Sequence, residues 1–307
     1  MTELMAADAL TGQPQGSRPP SPDLSVREGV VERARRQARF MLHSPGLILS
    51  IVLLALVLVS AFFPGLFTSQ DPLSGVPRHR LQGPSPEHLF GTDQLGRDLF
   101  SRVVHGSALS LQATVLAVAV GLVVGSLLGL LAGYLGGRVD DVLMRIADVL
   151  LAIPNLLLSL AVVTALGFGT VKVAIAVGIT SVASFARVMR SEVLRVRGAV
   201  YVEAAHSSGA RWFSVLFRHV LPNSAGPVLV YAAVDFGAVI LQVSALSFLG
   251  YGAIPPAPEW GALVSGGRDY LATAWWLTTL PGLTIAATVL AANRISRALD
   301  GEGRETR

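Results

Sequence analysis

Long apolar runs joined by short polar connections organise this chain. Stretches free of Asp, Glu, Lys and Arg cover Phe40 to Gln70, Val103 to Gly137 and Val149 to Val171. Each exceeds the roughly 20 residues that a helix needs to cross a bilayer core. The alternation predicts six spans, at about 46–67, 108–135, 142–166, 172–190, 224–249 and 273–294. The fold class that follows is all-α and polytopic. The first run follows a polar arm and has no small-residue cleavage site beside a short apolar core, so it reads as a retained span and not a signal peptide.

Composition agrees with that pattern. Of 307 residues, 52% are hydrophobic and 14% charged, far from a soluble domain. An even number of spans puts both termini on one side. With the N-terminus inside, 18 of the 24 Arg and Lys fall in inner segments and 6 in outer ones. That bias places both termini and the loop around residue 203 in the cytoplasm. Residues 1–30 are rich in Pro, Gly and Ser and read as disordered. The basic stretch REGVVERARRQAR, residues 27–39, suits attraction to anionic headgroups. The absence of cysteine excludes disulfides, thiolate metal sites and cysteine nucleophiles.

Several polar or small residues inside the spans carry candidate roles. Gly121, Gly125, Gly129 and Gly133, with Gly137 beyond, recur every four residues and make a shallow groove on one helix. Without a hydrophobic drive between helices in lipid, such grooves are packing surfaces. Both static packing and a sliding contact fit. Pro154 should kink the third span near mid-membrane. Asn155 beside it reads either as pore wall or as a bond to a neighbouring helix. Asp235 is the one acidic residue deep in a span and must face the bundle interior or an aqueous cavity. A pathway role and a structural hydrogen bond both fit it. Ser244, with Ser247, Ser181 and Ser184, is a further candidate for the path, although span hydroxyls often bond back to their own helix.

The segment YVEAAHSSGARWFSVLFRHVLPN, Tyr201 to Asn223, stands apart. Small residues are followed by an apolar stripe at helical spacing, formed by Trp212, Phe213, Leu216, Phe217 and Val220. Gly209 permits a sharp turn between two short helices, and Pro222 forbids continuation in the same register. A solvated connector needs no such aromatics; this one is shaped to be gripped by another protein. The order Glu203, Ala204, Ala205, Gly209, Leu221, Pro222 resembles the EAA loop of ABC-importer permeases. His219 departs from the aliphatic residue that the general pattern places before Leu-Pro, and the RHVLPN form is similar to the dipeptide, oligopeptide and nickel permease branch. GTDQLGRDLFSRVVHGSALSL (91–111) and PPAPEWGALVSGGRDYL (255–271) extend the resemblance, which covers roughly residues 40–300.

That resemblance implies a type I ABC-importer permease fold in a bacterial cytoplasmic membrane. The implied division is a cytoplasmic arm (1–45), a first transmembrane helix (46–67), an external segment (68–107), a core permease domain (108–296) with its coupling loop at 191–222, and a cytoplasmic tail (297–307). The docking residues would be Glu203, Ala204, Ala205, Gly209, Trp212, Phe213, Phe217, Leu221 and Pro222. The implied partners are a homologous second permease, two ATP-binding subunits, an extracytoplasmic substrate-binding protein and membrane lipid; no nucleic acid is expected. No cofactor is expected in this chain, with ATP and Mg held by the ATPase subunits.

The remaining motifs narrow the alternatives. Thr92 or Asp93 should cap a short amphipathic helix carrying Leu99, Phe100, Val103 and Val104. His79, His88 and His105, spaced by nine and seventeen residues, match no helical metal motif, so no metal is expected. There is no G-x-x-x-x-G-K-[ST], H-E-x-x-H or G-x-S-x-G, so the chain reads as a transport subunit and not an enzyme. The competing class is a self-sufficient secondary transporter or channel using Asp235. The Glu203 loop speaks against it.

Overall fold

Helices account for nearly all the regular structure. A computed structural model of the protein describes the backbone of residues 45–304 and the side chains of residues 45–298. The predicted arm, its basic stretch 27–39 and the last three residues lie outside the described residues, apart from Pro45. Nine helices are described: α1 (Pro45–Phe62), α2 (Leu99–Leu135), α3 (Gly137–Ala152), α4 (Asn155–Leu166), α5 (Thr170–Arg197), α6 (Val200–Ser207), α7 (Trp212–Phe248), α8 (Trp260–Gly267) and α9 (Trp276–Arg304). Among the described residues, strand pairing is limited to the bridges Gly75 to Arg97 and Thr92 to Asp98. Residues 49–304 form one compact unit. Helix α9 continues to Arg304, so most of the predicted tail is helical.

Among the described residues, five helices are long and apolar enough to cross a membrane, and the α3–α4 pair makes a sixth if counted as one bent span. Helix α2 runs unbroken for 37 residues, about 55 Å at 1.5 Å per residue. The separate amphipathic helix expected before residue 108 is therefore the first part of α2. Its cap is Asp98, whose carboxylate accepts from the Ser101 N–H at 2.7 Å. Thr92 and Asp93 instead shape the preceding loop. Nothing between 99 and 135 removes a backbone donor, so the helix has no reason to stop.

The third predicted span, 142–166, is not a kinked helix. It breaks at Ile153-Pro154, and the two halves meet at 97°. Ile153, preceding a proline, takes an extended conformation (ψ 131°), and so does Pro154 (ψ 129°). Two consecutive extended residues turn the chain where one α-region proline would only have bent it. Helix α3 carries Asp140 and Asp148, which pair with Arg190 and Arg187 of α5.

Helices α2 and α5 make the most extensive contact in the bundle, through the glycine series. A methyl group at Gly125 would stand 2.5 Å from Phe185 Cβ and from the Val182 carbonyl oxygen. At Gly121 it would lie 2.8 Å from Ser181 Cβ, and at Gly133 2.9 Å from Val193 Cβ. Gly178 of α5 reciprocates against Val120. The opposite face of α2, with Val123, Leu127 and Leu131, is exposed as a lipid-facing stripe would be. Gly137 lies beyond α2 at φ 55°, with nothing within 4 Å of its Cβ position.

Helix α7 passes through Pro222 instead of ending there. The chain forms a π-helical turn at Leu216–Val220 immediately before it. That wider turn shifts the register ahead of the proline, and Asn223 Nδ2 donates to the His219 carbonyl at 2.6 Å. Buried aliphatic clusters fill both ends of the bundle. Phe185, Met189, Val193, Val202, Val215 and Val220 pack near residue 135, and Leu99, Val103, Ile240, Trp260 and Leu277 pack at the far end of α2.

Candidate functional site

Residues 200–222 fold as a short helix, a tight turn and the opening of a long helix. Helix α6 ends in a Schellman turn: the Ala210 N–H donates to the Ala205 carbonyl (3.2 Å) and the Gly209 N–H to that of His206 (3.0 Å). Gly209 sits at φ 78° with nothing within 4 Å of its Cβ position, so the requirement for glycine is conformational and not steric. Only the first of the two expected short helices stays short, because Trp212 opens the 37-residue α7.

The segment has two faces. Val202, Val215, Leu216 and Val220 are buried against α2, α5 and α7, which fixes the segment to the bundle. Outward lie Val200 (80% exposed), Trp212 (47%), Phe213 (55%) and Phe217 (59%), with Tyr201, Glu203 and Ala204 also exposed. The apolar stripe read as one face is thus split: Leu216 and Val220 point in, and the three aromatics point out. The π-helical turn offsets the residues on either side of it. Ala205 and Leu221 are half-buried and Pro222 is exposed. Trp212 and Phe213 stack at 3.5 Å between ring centroids.

Two residues that the sequence did not single out set this surface. Tyr134, at the end of α2, stacks on Trp212 at 6.3 Å and donates its hydroxyl to the Trp212 carbonyl at 3.1 Å. Arg197, in the last turn of α5, donates to the Tyr134 carbonyl at 3.0 Å and so caps α2. Tyr134 sits at the edge of a charge-free run like any interfacial aromatic, and Arg197 is one of six basic residues between 187 and 219. Neither position carries a local signal of a contact with α7.

The pathway candidates are not gathered into one site. Asn155 is exposed in the first turn of α4. Asp235 is half-buried on α7; the Ser181 hydroxyl faces its carboxyl, while Oδ2 is buried without a hydrogen bond. Ser244 is nine residues further along α7, which at 100° per residue puts it on the opposite face of an ideal helix. Its buried hydroxyl is also unbonded, and its backbone lies against Gly261 of α8. No hydrogen bond or ion pair links the three among the described residues.

The other end of the bundle is built from charge and backbone hydrogen bonds. Asp93 accepts from the N–H groups of Leu95 (2.8 Å) and Arg97 (3.0 Å) through Oδ1, and from Arg97 Nε (2.7 Å) through Oδ2. Trp260 is buried, with its Nε1 donating to the Val103 carbonyl at 2.9 Å and its N–H to Ser110 Oγ at 3.1 Å. Glu259, at the N-terminus of α8, is fully buried and faces the Ser247 hydroxyl. Burial pushes its carboxyl above the ordinary carboxylate value, opposed by Ser247 and by the backbone N–H of Gly261.

A bundle of apolar helices, packed through small residues and carrying an aromatic surface at one end, is the architecture of a polytopic membrane component. Residues 125–302 match the family described as the inner membrane component of binding-protein-dependent transport systems, and the chain belongs to that family. It is 39% identical over 249 residues to the dipeptide transport system permease protein DppC of Alkalihalophilus pseudofirmus, covering 81% of this chain and 82% of that one. It is 47% identical over 217 residues to the glutathione transport system permease protein GsiD of Shigella flexneri, covering 71% and 72%. A chain of the inward-facing methionine ABC transporter MetNI shares the fold, with TM-score 0.52 at 18% identity over 64% of this chain and 96% of that one. The protein is accordingly a multi-pass membrane permease.

Proposed function

We propose that this chain is one of two permease subunits of an ATP-driven importer of short peptides. The observation that carries the reading is the outward face of residues 200–217. It holds four exposed aromatics, Tyr201, Trp212, Phe213 and Phe217, on a segment whose opposite face is anchored in the bundle core. Lipid covers apolar area along the spans, whereas a contiguous apolar patch in a polar loop marks a protein contact. That contact would be with the ATPase subunits, one for each permease, and ATP and Mg would reside there. Both termini then lie on the ATP side, as the distribution of Arg and Lys supports. The opposite end would receive the loaded substrate-binding protein. The peptide class follows the printed functions of the dipeptide and glutathione relatives.

The test is the docking turn itself. Gly209→Val forces a β-branched residue to φ 78°, and Glu203→Arg reverses the exposed charge. The expected outcome is protein present in the membrane at normal levels, uptake of radiolabelled dipeptide lost, and less ATPase subunit recovered on co-purification. Normal uptake by both variants overturns the docking assignment.

Asp235 would be the ionisable member of the path: its Oδ2 is buried without a hydrogen bond, as is the Ser244 hydroxyl. In a chain with no cysteine, Asp235→Cys reports access directly. Labelling by a small water-soluble thiol reagent is expected, and it should change when a non-hydrolysable nucleotide locks the complex. No labelling in any trapped state, with a large stability loss for Asp235→Asn, assigns the residue to packing.

A further inference from the structure

At the end of the bundle opposite residues 200–222, two arginines face one carboxylate in a partly open cavity. Asp93, Arg97 and Arg102 are 4%, 8% and 5% exposed. They line a cavity of about 140 Å³ whose other walls include Pro255, Pro256, Leu263 and Leu277. Asp93 already accepts from the Leu95 and Arg97 N–H groups and from Arg97 Nε. Arg102 spends Nη1 on the Pro72 carbonyl (2.9 Å) and Nη2 on that of Pro256 (3.4 Å). Its Nε is buried without a hydrogen bond, 3.7 Å from the occupied Asp93 Oδ2. The terminal nitrogens of Arg97 make no hydrogen bond among the described residues, in a side chain only 9% exposed.

The charge balance within the cavity is therefore positive by one. Among the described residues no second carboxylate pairs with either guanidinium. Asp98 is engaged by His88 Nδ1 at 2.9 Å and by the Ser101 N–H. Asp269 pairs with Arg268 at 3.3 Å on the exposed side. A buried guanidinium donor without a hydrogen bond, as Arg102 Nε is, is costly, and a planar oxyanion meets the fork geometry of arginine.

We propose that this cavity is a binding site for a small carboxylate carried on a short apolar body. The arginines take the carboxylate, and the proline and leucine walls take the body. The volume is close to that of a cavity that admits a benzene-sized guest, ~150 Å³, so the bound group has about six heavy atoms. This assignment rests on the cavity alone and holds whichever solute the permease moves.

Isobutyrate and its neutral counterpart isobutyramide have the same number of heavy atoms and differ in charge, so they isolate the arginine contribution. With the full-length chain purified in detergent, isobutyrate should raise the thermal midpoint saturably, and isobutyramide should not. Arg97→Gln should weaken isobutyrate roughly tenfold, the loss expected for one charge-assisted hydrogen bond. Gly266→Leu provides a variant that spares the ion pairs. Gly266 is an exposed residue at the rim of the cavity, and a Cβ there meets nothing within 4 Å, so a larger side chain can be set over the opening without a clash at Cβ. It should abolish the isobutyrate effect while leaving the unliganded midpoint unchanged. Equal stabilisation by isobutyramide overturns the proposal. So does an equal effect of chloride or inorganic phosphate at matched ionic strength, or full retention of the effect in both variants.

Discussion

The two ends of α2 solve opposite problems with opposite materials. Near Leu135 the surface keeps aromatic area in the open, on a segment whose inner face is aliphatic and whose helix ends are closed by Arg197 and the Gly209 turn. Near Leu99 the chain buries what would ordinarily be exposed: Asp93, Asp98, Arg97, Arg102 and Glu259 are all nearly inaccessible. Buried charge needs partners at fixed positions, so this end is tied together by side-chain bonds to backbone carbonyls and N–H groups. Exposed aromatics need only a rigid support and a partner. One end holds its charges in fixed positions inside the fold, and the other presents its aromatics outward.

Substituting the tryptophan of one end and a phenylalanine of the other separates these roles most sharply. Trp260→Ala removes a buried ring and the long-range hydrogen bond from its Nε1 to the Val103 carbonyl, and should cost about 3–5 kcal/mol, read as a large fall in the thermal midpoint of the purified chain. Phe217→Ala, with the ring 59% exposed, should shift that midpoint by no more than about 0.5 kcal/mol while ATPase co-purification falls. A stability loss at Phe217 matching that at Trp260 would erase the distinction between the ends. The glycine groove that joins them comes next. Gly125→Leu places a side chain where a single methyl already meets the Val182 carbonyl at 2.5 Å. Overpacking of about 3 kcal/mol should reduce the amount of assembled complex in the membrane. Leu127→Ile, on the exposed face, should leave it unchanged.

The smallest effect belongs to Glu259. Folding raises its carboxyl above the unfolded value of 4.5, so stability is fully present below that pH and is lost as pH rises through the folded value. Glu259→Gln removes the charge. The variant should match the wild type near pH 4.5 and exceed it at pH 8, in a thermal melt across that range. A wild-type advantage at pH 8 would mean that Ser247 and the α8 backbone N–H groups more than offset the burial.

The helical class of this protein is written in its one-dimensional pattern. Charge-free runs long enough for a bilayer specify helices, since nothing else satisfies the backbone there without closing a barrel. The glycine series at 121, 125, 129 and 133 marks a contact face, because a four-residue period keeps those positions nearly in line on a helix. Gly209 and the aromatics around it are visible locally for the same reason: turn chemistry and side-chain size are properties of single positions. What the pattern left open depends on residues far apart in the chain. It did not say that Pro154 breaks the third span outright, since a proline bends or ends a helix according to what its neighbours tolerate. It could not separate Leu216 and Val220 from Phe213 and Phe217, because the π-helical turn ahead of Pro222 alters the register on which that separation depends. It could not bring Tyr134 onto Trp212, nor place Arg97 and Arg102 around Asp93 with Pro256 behind them. Periodicity is read within one helix, whereas burial, pairing and charge balance are decided between helices, where the energy of each group depends on what the rest of the fold puts beside it.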